Sequence, residues 1–258
     1  MSDSLRDYLN FIVETAYLAG RLTLGYFQTG VVPEFKSDMS PVTIADQKSE
    51  ELIRSRIETR YPDHAIVGEE FGVKELPGSS HRWFIDPIDG TKSFLQGVPL
   101  YAVLIGLEIE GVVQAGPAYF PALSEMVAAA TGEGCWWNGR RAHVSQVASL
   151  SKGVVTFTDI LNFEKKGRLA AWSRLQKAAY FRAGWGDAYG YALVAMGRAE
   201  VMLDPFMNPW DAGPFPPILK EAGGYFGDWQ GNETIYADEA LATTAKLLPE
   251  VLELIKGE

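Results

Sequence analysis

The chain has 258 residues, 47% of them hydrophobic and 22% charged, which suits a soluble globular protein of one or two domains. A formal net charge of −10 excludes nucleic-acid binding through clustered Lys and Arg, and no stretch offers the roughly 20 uninterrupted apolar residues of a membrane span. The first residues carry neither the basic start nor the apolar run of a secretory leader, and a lone Cys135 excludes an intrachain disulfide, so a cytoplasmic protein is expected. Flanked by Trp136 and Trp137, Cys135 reads as a buried structural thiol.

Apolar residues at Leu5, Leu9, Ile12, Ala16, Ala19, Leu22 and Tyr26 predict an amphipathic helix from Leu5 to about Phe27, stopped by Gly30. A strand over Val31–Lys36 and a polar loop from Ser37 to Pro41 follow. A second helix starts at Val42 or Ala45 and ends at Arg60, before Tyr61-Pro62. Asp46 lies in its first turns, where the helix dipole alone would favour a carboxylate. The apolar run Ala65-Ile66-Val67 leads into Gly68-Glu69-Glu70. A short buried strand through Trp83-Phe84-Ile85 then ends in the turn signals Asp86-Pro87 and Asp89-Gly90, with Thr91 just behind. Tyr101–Ile109, Val112–Tyr119 and Glu125–Ala130 read as an antiparallel meander, the first two joined at Glu110-Gly111. The first half thus reads as helices on an antiparallel sheet.

Ser145–Lys152 reads as a connection between domains, 1–147 and 148–258. The second half alternates: a strand over Gly153–Thr158, a polar helix over Leu161–Lys177, a strand over Tyr180–Arg182, and a glycine-rich turn into a helix ending near Met196. Then come a strand over Glu200–Leu203, a helix over Trp210–Ala222 with three internal prolines, a strand at Tyr225–Phe226, and a closing helix over Asp238–Ile255. This is a layered α/β half.

Carboxylates gathered at strand ends repel one another unless a cation joins them. Oxygen ligands suit magnesium, which keeps open positions for phosphate and water. Asp-Pro and Asp-Gly are also ordinary turn punctuation. Four patches together are more specific: Ile44-Ala45-Asp46; Gly68-Glu69-Glu70; Asp86-Pro87-Ile88-Asp89-Gly90-Thr91; and Trp210-Asp211-Ala212, followed by Glu221-Ala222-Gly223-Gly224. In these, in their order and in their spacing over nearly the whole chain, the sequence resembles the inositol monophosphatase-like magnesium-dependent phosphatases.

The resemblance implies an α+β fold, a layered αβαβα sandwich, with two or three Mg2+ ions per active site. Glu69, Asp86 and the backbone carbonyl of Ile88 would hold a first ion; Asp86, Asp89 and Asp211 would hold a second. Asp46, Glu69 and Thr91 form the implied catalytic set, with Thr91 and Asp46 orienting and deprotonating the attacking water. Ile88, Asp89, Gly90, Thr91 and Asp211 also meet the substrate, the N–H groups of Gly90 and Thr91 receiving phosphate oxygens. Asp211 has an alternative reading as a helix N-cap. The implied partner is a small phosphorylated metabolite, and the family's frequent dimers imply a homodimer.

The leaving group is read from Gly186-Asp187-Ala188 and from Asp204, seven residues before Asp211. Two carboxylates suit a leaving group with cationic nitrogen. Together with Trp185–Tyr191 and Thr91-Lys92-Ser93-Phe94, they resemble the histidinol-phosphate phosphatase branch, in which Arg182 is the nearest candidate for an arginine beside this pair. Asp187 reads alternatively as a helix cap and Lys92 as a solvated charge. Inositol monophosphatase, adenosine 3′,5′-bisphosphate nucleotidase, fructose bisphosphatase and a catalytically idle binding relative are the other readings. The polar loop Val73–His81 is expected to cover the site when metal binds.

Overall fold

The computed structural model describes residues 3–37 and 39–257, so Asp38 of the expected polar loop lies outside the described residues. Helix α1 (Leu5–Leu24) opens on a capping box, Ser4 with Asp7, and buries Tyr8, Ile12, Ala16 and Ala19 along one face. A two-stranded ribbon, β1 (Glu34–Phe35) and β2 (Pro41–Val42), is shorter than the strand expected over Val31–Lys36. Helix α2 (Ile44–Arg60) follows, capped by Thr43.

Next come β3 (Ala65–Gly68), β4 (Gly72–Lys74), β5 (His81–Asp89), α3 (Thr91–Leu95), β6 (Ala102–Ile109), β7 (Val112–Phe120), β8 (Glu125–Ala130), β9 (Gly134–Trp137) and β10 (Arg140–Arg141). They form an eight-stranded sheet in the order β10-β9-β8-β7-β6-β5-β3-β4. The expected antiparallel sheet holds except at one pair: β3 and β5 run parallel. Because β4 folds back on the outer side of β3, residues 75–80 must carry the chain back before β5 can start. Val73 and Lys74 lie in β4, level with Phe84 and Trp83 of β5, and residues 75–80 return the chain to the beginning of β5 at His81, whereas the acidic residues sit at its end.

The second half contains β11 (Val154–Thr156), α4 (Ile160–Lys165), α5 (Leu169–Ala178), β12 (Phe181–Ala183), α6 (Ala188–Ala195), β13 (Val201–Asp204), α7 (Pro209–Ala212), α8 (Phe215–Glu221), β14 (Gly224–Gly227), β15 (Ala240–Thr244) and α9 (Leu248–Lys256). Its sheet has the order β12-β11-β13-β15-β14. Three expected elements differ. The helix over 161–177 is two helices, because Gly167 adopts φ +66 between them. The helix over 210–222 divides at Gly213-Pro214, where proline withholds an N–H. The closing helix begins only at Leu248. Its expected first turns are β15, five residues all buried between β13 and β14. A short continuous apolar run carries no period that separates strand from helix, and Ala and Leu favoured the wrong choice.

Three large apolar clusters tie five tiers of structure together, the central one packing against both sheets. One cluster joins α1 and α2 to the sheet through Ile12, Ile53, Trp83 and Ile85. A central cluster joins the two sheets through α6 and α8, with Phe84, Tyr191, Phe215 and Met202. A third packs α4, α5 and α9 on the far sheet through Phe163, Trp172, Leu203 and Val251. Trp83 and Ile85 face one way and Phe84 the other, as alternation along β5 requires. This is the αβαβα sandwich. Among the described residues, no helix is long and apolar enough to cross a membrane.

Cys135 is buried, and burial pushes its thiol up to about 12. His64 and His81 stack with ring centroids 4.3 Å apart, and Trp83 Nε1 donates to His64 Nδ1 at 3.0 Å. Burial first, then His81, lowers His64 to about 4 from an ordinary 6.5; burial also lowers His81. A group held neutral in this way contributes stability that is complete above about pH 6.5 and is lost as pH falls toward 4. Taken by itself this pair should therefore lower Tm between pH 7 and 5, against the opposite slope from carboxylates whose pKa burial raises, Asp46, Asp204 and Asp211. Discounted for partial exposure, the effect is on the order of 1 kcal/mol, or about 2–4 °C. His64→Gln, which keeps an acceptor for Trp83, should remove this contribution, so that Tm at pH 5 relative to pH 7 is higher than in the parent; an unchanged difference by calorimetry would remove the histidine pair as a contributor.

Candidate active site

The parallel pairing of β3 and β5 decides where the acidic residues meet. Gly68 lies beside Ile85, so Glu69 emerges next to Asp86 at the same sheet edge, its N–H bonded to the Ile85 carbonyl at 3.1 Å. Asp86 and Asp89 are three apart, a spacing that sends side chains to opposite faces of a regular strand. The register against β6 shifts between them, where Pro87 has no N–H for the ladder and Asp86 Oδ1 accepts from Ile88 N at 3.0 Å. The irregularity brings both carboxylates to one place. Asp211 reaches them from α7, and single carboxylate oxygens of Asp86, Asp89 and Asp211 lie within 4.8 Å of one another.

Each acid is also tied to its own element. Asp89 Oδ2 accepts from Ala188 N, the first residue of α6, at 2.7 Å. Asn208 is the N-cap of α7, and its N and Nδ2 donate to Asp211 Oδ2 at 3.0 Å. Asp211 thus belongs to a capping box as its third member, not as the N-cap. Asp46 accepts from Thr43 N and Oγ1 in the capping box of α2, and its other oxygen receives Thr91 Oγ1 at 3.5 Å. Thr91 Oγ1 also lies 3.1 Å from the Ile88 carbonyl. Glu69 stands outside the cluster of three, and Lys36 Nζ bridges it to Glu70, 2.9 Å from each.

Glu69, Asp86, Ile88, Asp89, Gly90, Thr91, Gly186, Asp187 and Asp211 all line one cavity of about 460 Å3. An inner chamber of about 100 Å3 adjoins it, walled by Asp89, Asp187, Ala188, Asp204 and Asp211 with Thr158 and Tyr191. Tyr191 donates to Asp204 at 3.3 Å. Asp187 occupies the N-cap position of α6, as the helix-cap alternative has it, but its side chain makes no capping bond there.

Arg182 does not reach the site. It is exposed on β12, and its guanidinium donates to the carbonyls of Gln176 and Tyr180. As the middle residue of an edge strand, it points away from the turn at Gly184–Gly186. Lys36, Thr158, Asn162 and Asn208 line or hold the site and were not singled out from the sequence. Asn208 had a readable signal, since Asn followed by Pro209 is an N-cap before a first-turn proline. Lys36 had none: a single cation beside a polar loop has no local pattern.

Burial, then Glu69, Asp89 and Asp211, holds Asp86 well above the usual carboxylate range; burial, then Asp187 and Asp211, does the same for Asp89. Burial raises Asp211 and Asp46 to about 6, and raises Asp204 to about 8 with Asp187 adding to it. Burial also raises Asp187. The bonds from Asn208 and Thr43 act in the opposite sense. Three convergent, desolvated carboxylates are a donor set of hard oxygens alone. It fits a hard divalent cation, whose charge would return these acids to their ionised form.

The sequence matches the inositol monophosphatase family over residues 4–256, and the chain belongs to that family. A histidinol-phosphatase of Chlorobaculum parvum is 44% identical over 236 residues, 91% of each chain. One from Streptomyces coelicolor is 35% identical over 234 residues, 85% of each. The crystal structure of the extragenic suppressor protein suhB from Bartonella henselae superposes with a TM-score of 0.90 at 27% identity, covering 97% of this chain and 98% of that one.

In the cation-free protein, Asp89→Asn removes one like charge while keeping an acceptor for Ala188 N. It should raise Tm by about 2–4 °C, on the order of 1 kcal/mol, and weaken the further rise produced by magnesium chloride at least about tenfold in concentration. A lower Tm in the cation-free variant would sink the repulsion account.

Proposed function

We propose that the protein hydrolyses L-histidinol phosphate to L-histidinol and phosphate. The observation that carries this reading is the join of two acidic regions: the cluster of Asp86, Asp89 and Asp211, and the inner chamber bordered by Asp187 and Asp204. The first suits divalent cations and a phosphate. The second suits a leaving group bearing amine and imidazole nitrogen. The 44% identity to a histidinol-phosphatase supports the same substrate. The enzyme is a phosphoric monoester hydrolase acting on a small phosphorylated compound.

Magnesium is the proposed ion, two or three per site, held by Glu69, Asp86, the Ile88 carbonyl, Asp89 and Asp211. When bound it would supply Lewis-acid neutralisation of the phosphate and of the departing alkoxide, and would lower the pKa of water. Thr91 and Asp46 orient the attacking water; Asp46, raised to about 6 by burial, is poised to take its proton near neutral pH. Glu69 steadies that water from the side of Asp86. The N–H groups of Gly90 and Thr91, at the start of α3, receive phosphate oxygens. Asp187 and Asp204 hold the leaving group, flanked by Gly186 and Ala188. Residues 1–147 serve as the domain carrying most ligands, and residues 148–258 as the one supplying Asp211 and the specificity residues. A homodimer in the cytoplasm, where a lone buried thiol stays reduced, completes the reading.

Phosphate release with magnesium should show a higher kcat/KM for L-histidinol phosphate than for inositol 1-phosphate, and EDTA should abolish both. A preference for the inositol ester would overturn the substrate. Asp187→Asn should lower kcat/KM about 10- to 100-fold for histidinol phosphate, a loss of about 1.4–2.8 kcal/mol, with little effect on a neutral ester. Equal losses on the two substrates would remove the charge contact.

A further inference from the structure

A cleft of about 430 Å3 opens between the β6–β7 hairpin and α8. This is the size of a small-molecule site, and its lining residues belong to none of the machinery above. It lies beside the first residues of β5, since Glu108 on its wall pairs across the sheet with Arg82. The acidic site is at the other end of that strand, roughly 20 Å away at about 3.3 Å per residue.

The walls are mainly apolar: Val112, Pro216, Pro217, Ile235 and the ring of Tyr236. Glu108 is the exception. It is only 6% exposed, and among the described residues it has no ion pair. Among the described residues, its carboxylate accepts one side-chain hydrogen bond, from Tyr236 Oη. Arg82, across the strand, pairs with Glu75 at 3.3 Å and also lies beside Tyr236, where its charge reaches Glu108 without forming an ion pair. A carboxylate has room for about four hydrogen bonds, so Glu108 keeps acceptor capacity on the wall of an apolar cleft. At the rim, Lys220 and Glu233 are exposed and pair with each other at 3.5 Å, leaving no net charge there.

The cleft is also joined mechanically to the acidic site. Pro216, Pro217 and Lys220 belong to α8, and only Gly213-Pro214 separates α8 from α7, which carries Asp211. That link lies backbone to backbone on the sheet. A methyl built on Gly106 of β6 would stand 2.6 Å from the Gly213 carbonyl, and one on Gly116 of β7 would stand 2.5 Å from Pro214 Cα. No side chain lies between them to absorb a shift, so displacement of α8 passes to α7.

We propose that this cleft is a second small-molecule site, for a ligand with a cationic nitrogen on a ring-sized apolar body, and that its occupancy alters cation binding at Asp211. The nitrogen meets Glu108, and the ring lies against Pro216, Pro217 and Tyr236. By linkage the effect is reciprocal: a bound divalent cation changes the affinity of the cleft for its ligand by the same factor. The proposal goes beyond the phosphatase reading and does not depend on it, because both of its readouts are binding measurements.

The test uses phenethylammonium as the probe and neutral 2-phenylethanol as its control. Calorimetry is run on the full chain with saturating magnesium and inorganic phosphate, so that the acidic site is filled. The ammonium should bind about tenfold more tightly than the alcohol, a difference of about 1.4 kcal/mol. Glu108→Gln should erase that preference, and Val112→Trp, at an exposed rim position, should block both compounds. Neither variant should change phosphate release in the absence of probe. Magnesium titrated with and without the probe should show a shift in affinity of about fivefold that Val112→Trp abolishes. Absence of binding, as when a second copy covers the cleft, overturns the proposal. So does binding that survives both substitutions, which would locate the probe elsewhere. Binding with unchanged magnesium affinity overturns the coupling to Asp211.

Discussion

Like charge held at short range is the constraint on which the rest of the structure depends. Three carboxylates within 4.8 Å of one another, at an effective dielectric of about 20, repel by roughly 3–4 kcal/mol per pair when all are ionised. Summed over three pairs, that approaches the whole stability of a typical domain, about 5–15 kcal/mol. The acids therefore take up protons or share a cation, and their raised pKa values express the first choice. The fold must hold them together against this force. It does so with the most rigid parts available: the end of β5, buried on both faces, and the first turns of α6 and α7.

The capping box is the recurring device. At Thr43–Asp46 and Asn208–Asp211, the acid in the third helical position turns one oxygen back to the cap and presents the other to the site. Helix capping and chemistry are thus not competing explanations of these residues. A single carboxylate has enough lone pairs for both, and the cap fixes its rotamer before any ligand arrives. Lys36 does comparable work for Glu69 and Glu70. Burial would weaken its charge, but its hydrogen bonds to Glu70 and Glu69 raise its pKa.

Much of the fold was legible because long elements carry their period openly. Helix α1 and the β6–β7–β8 meander follow from apolar spacing and turn residues, and α2 from the Tyr61-Pro62 that ends it. Legibility failed where the deciding term was not local. The parallel pairing of β3 and β5 depends on where β4 folds, and β15 depends on the strands that enclose it. Among site residues, the acids of the four patches were readable because turn chemistry and acidity coincide there. Arg182 was misjudged because an offset of a few residues along an edge strand decides whether a side chain enters a cavity or lies on the surface. Thr158, Asn162 and Lys36 take part through the way chain segments cross, which no local window contains.

A net charge of −10 would by itself oppose a phosphorylated substrate, and the distribution of that charge removes the objection. The excess acid is concentrated: Asp86, Asp89, Asp187, Asp204 and Asp211 surround one cavity and its inner chamber. Each divalent ion bound to the first group offsets two charges at the point where phosphate must sit. Asp204 lies on the chamber side and Asp187 borders both spaces, and neither is in the cluster of three, so the same ions would neutralise them less. On the proposed reading, one acidic pocket is then divided into two fields, positive toward the phosphate and negative toward the leaving group. A substrate whose two ends carry opposite charge gains from both fields at once, whereas a neutral polyol phosphate gains from only one. Discrimination would follow from this division of charge even without a close fit of shape.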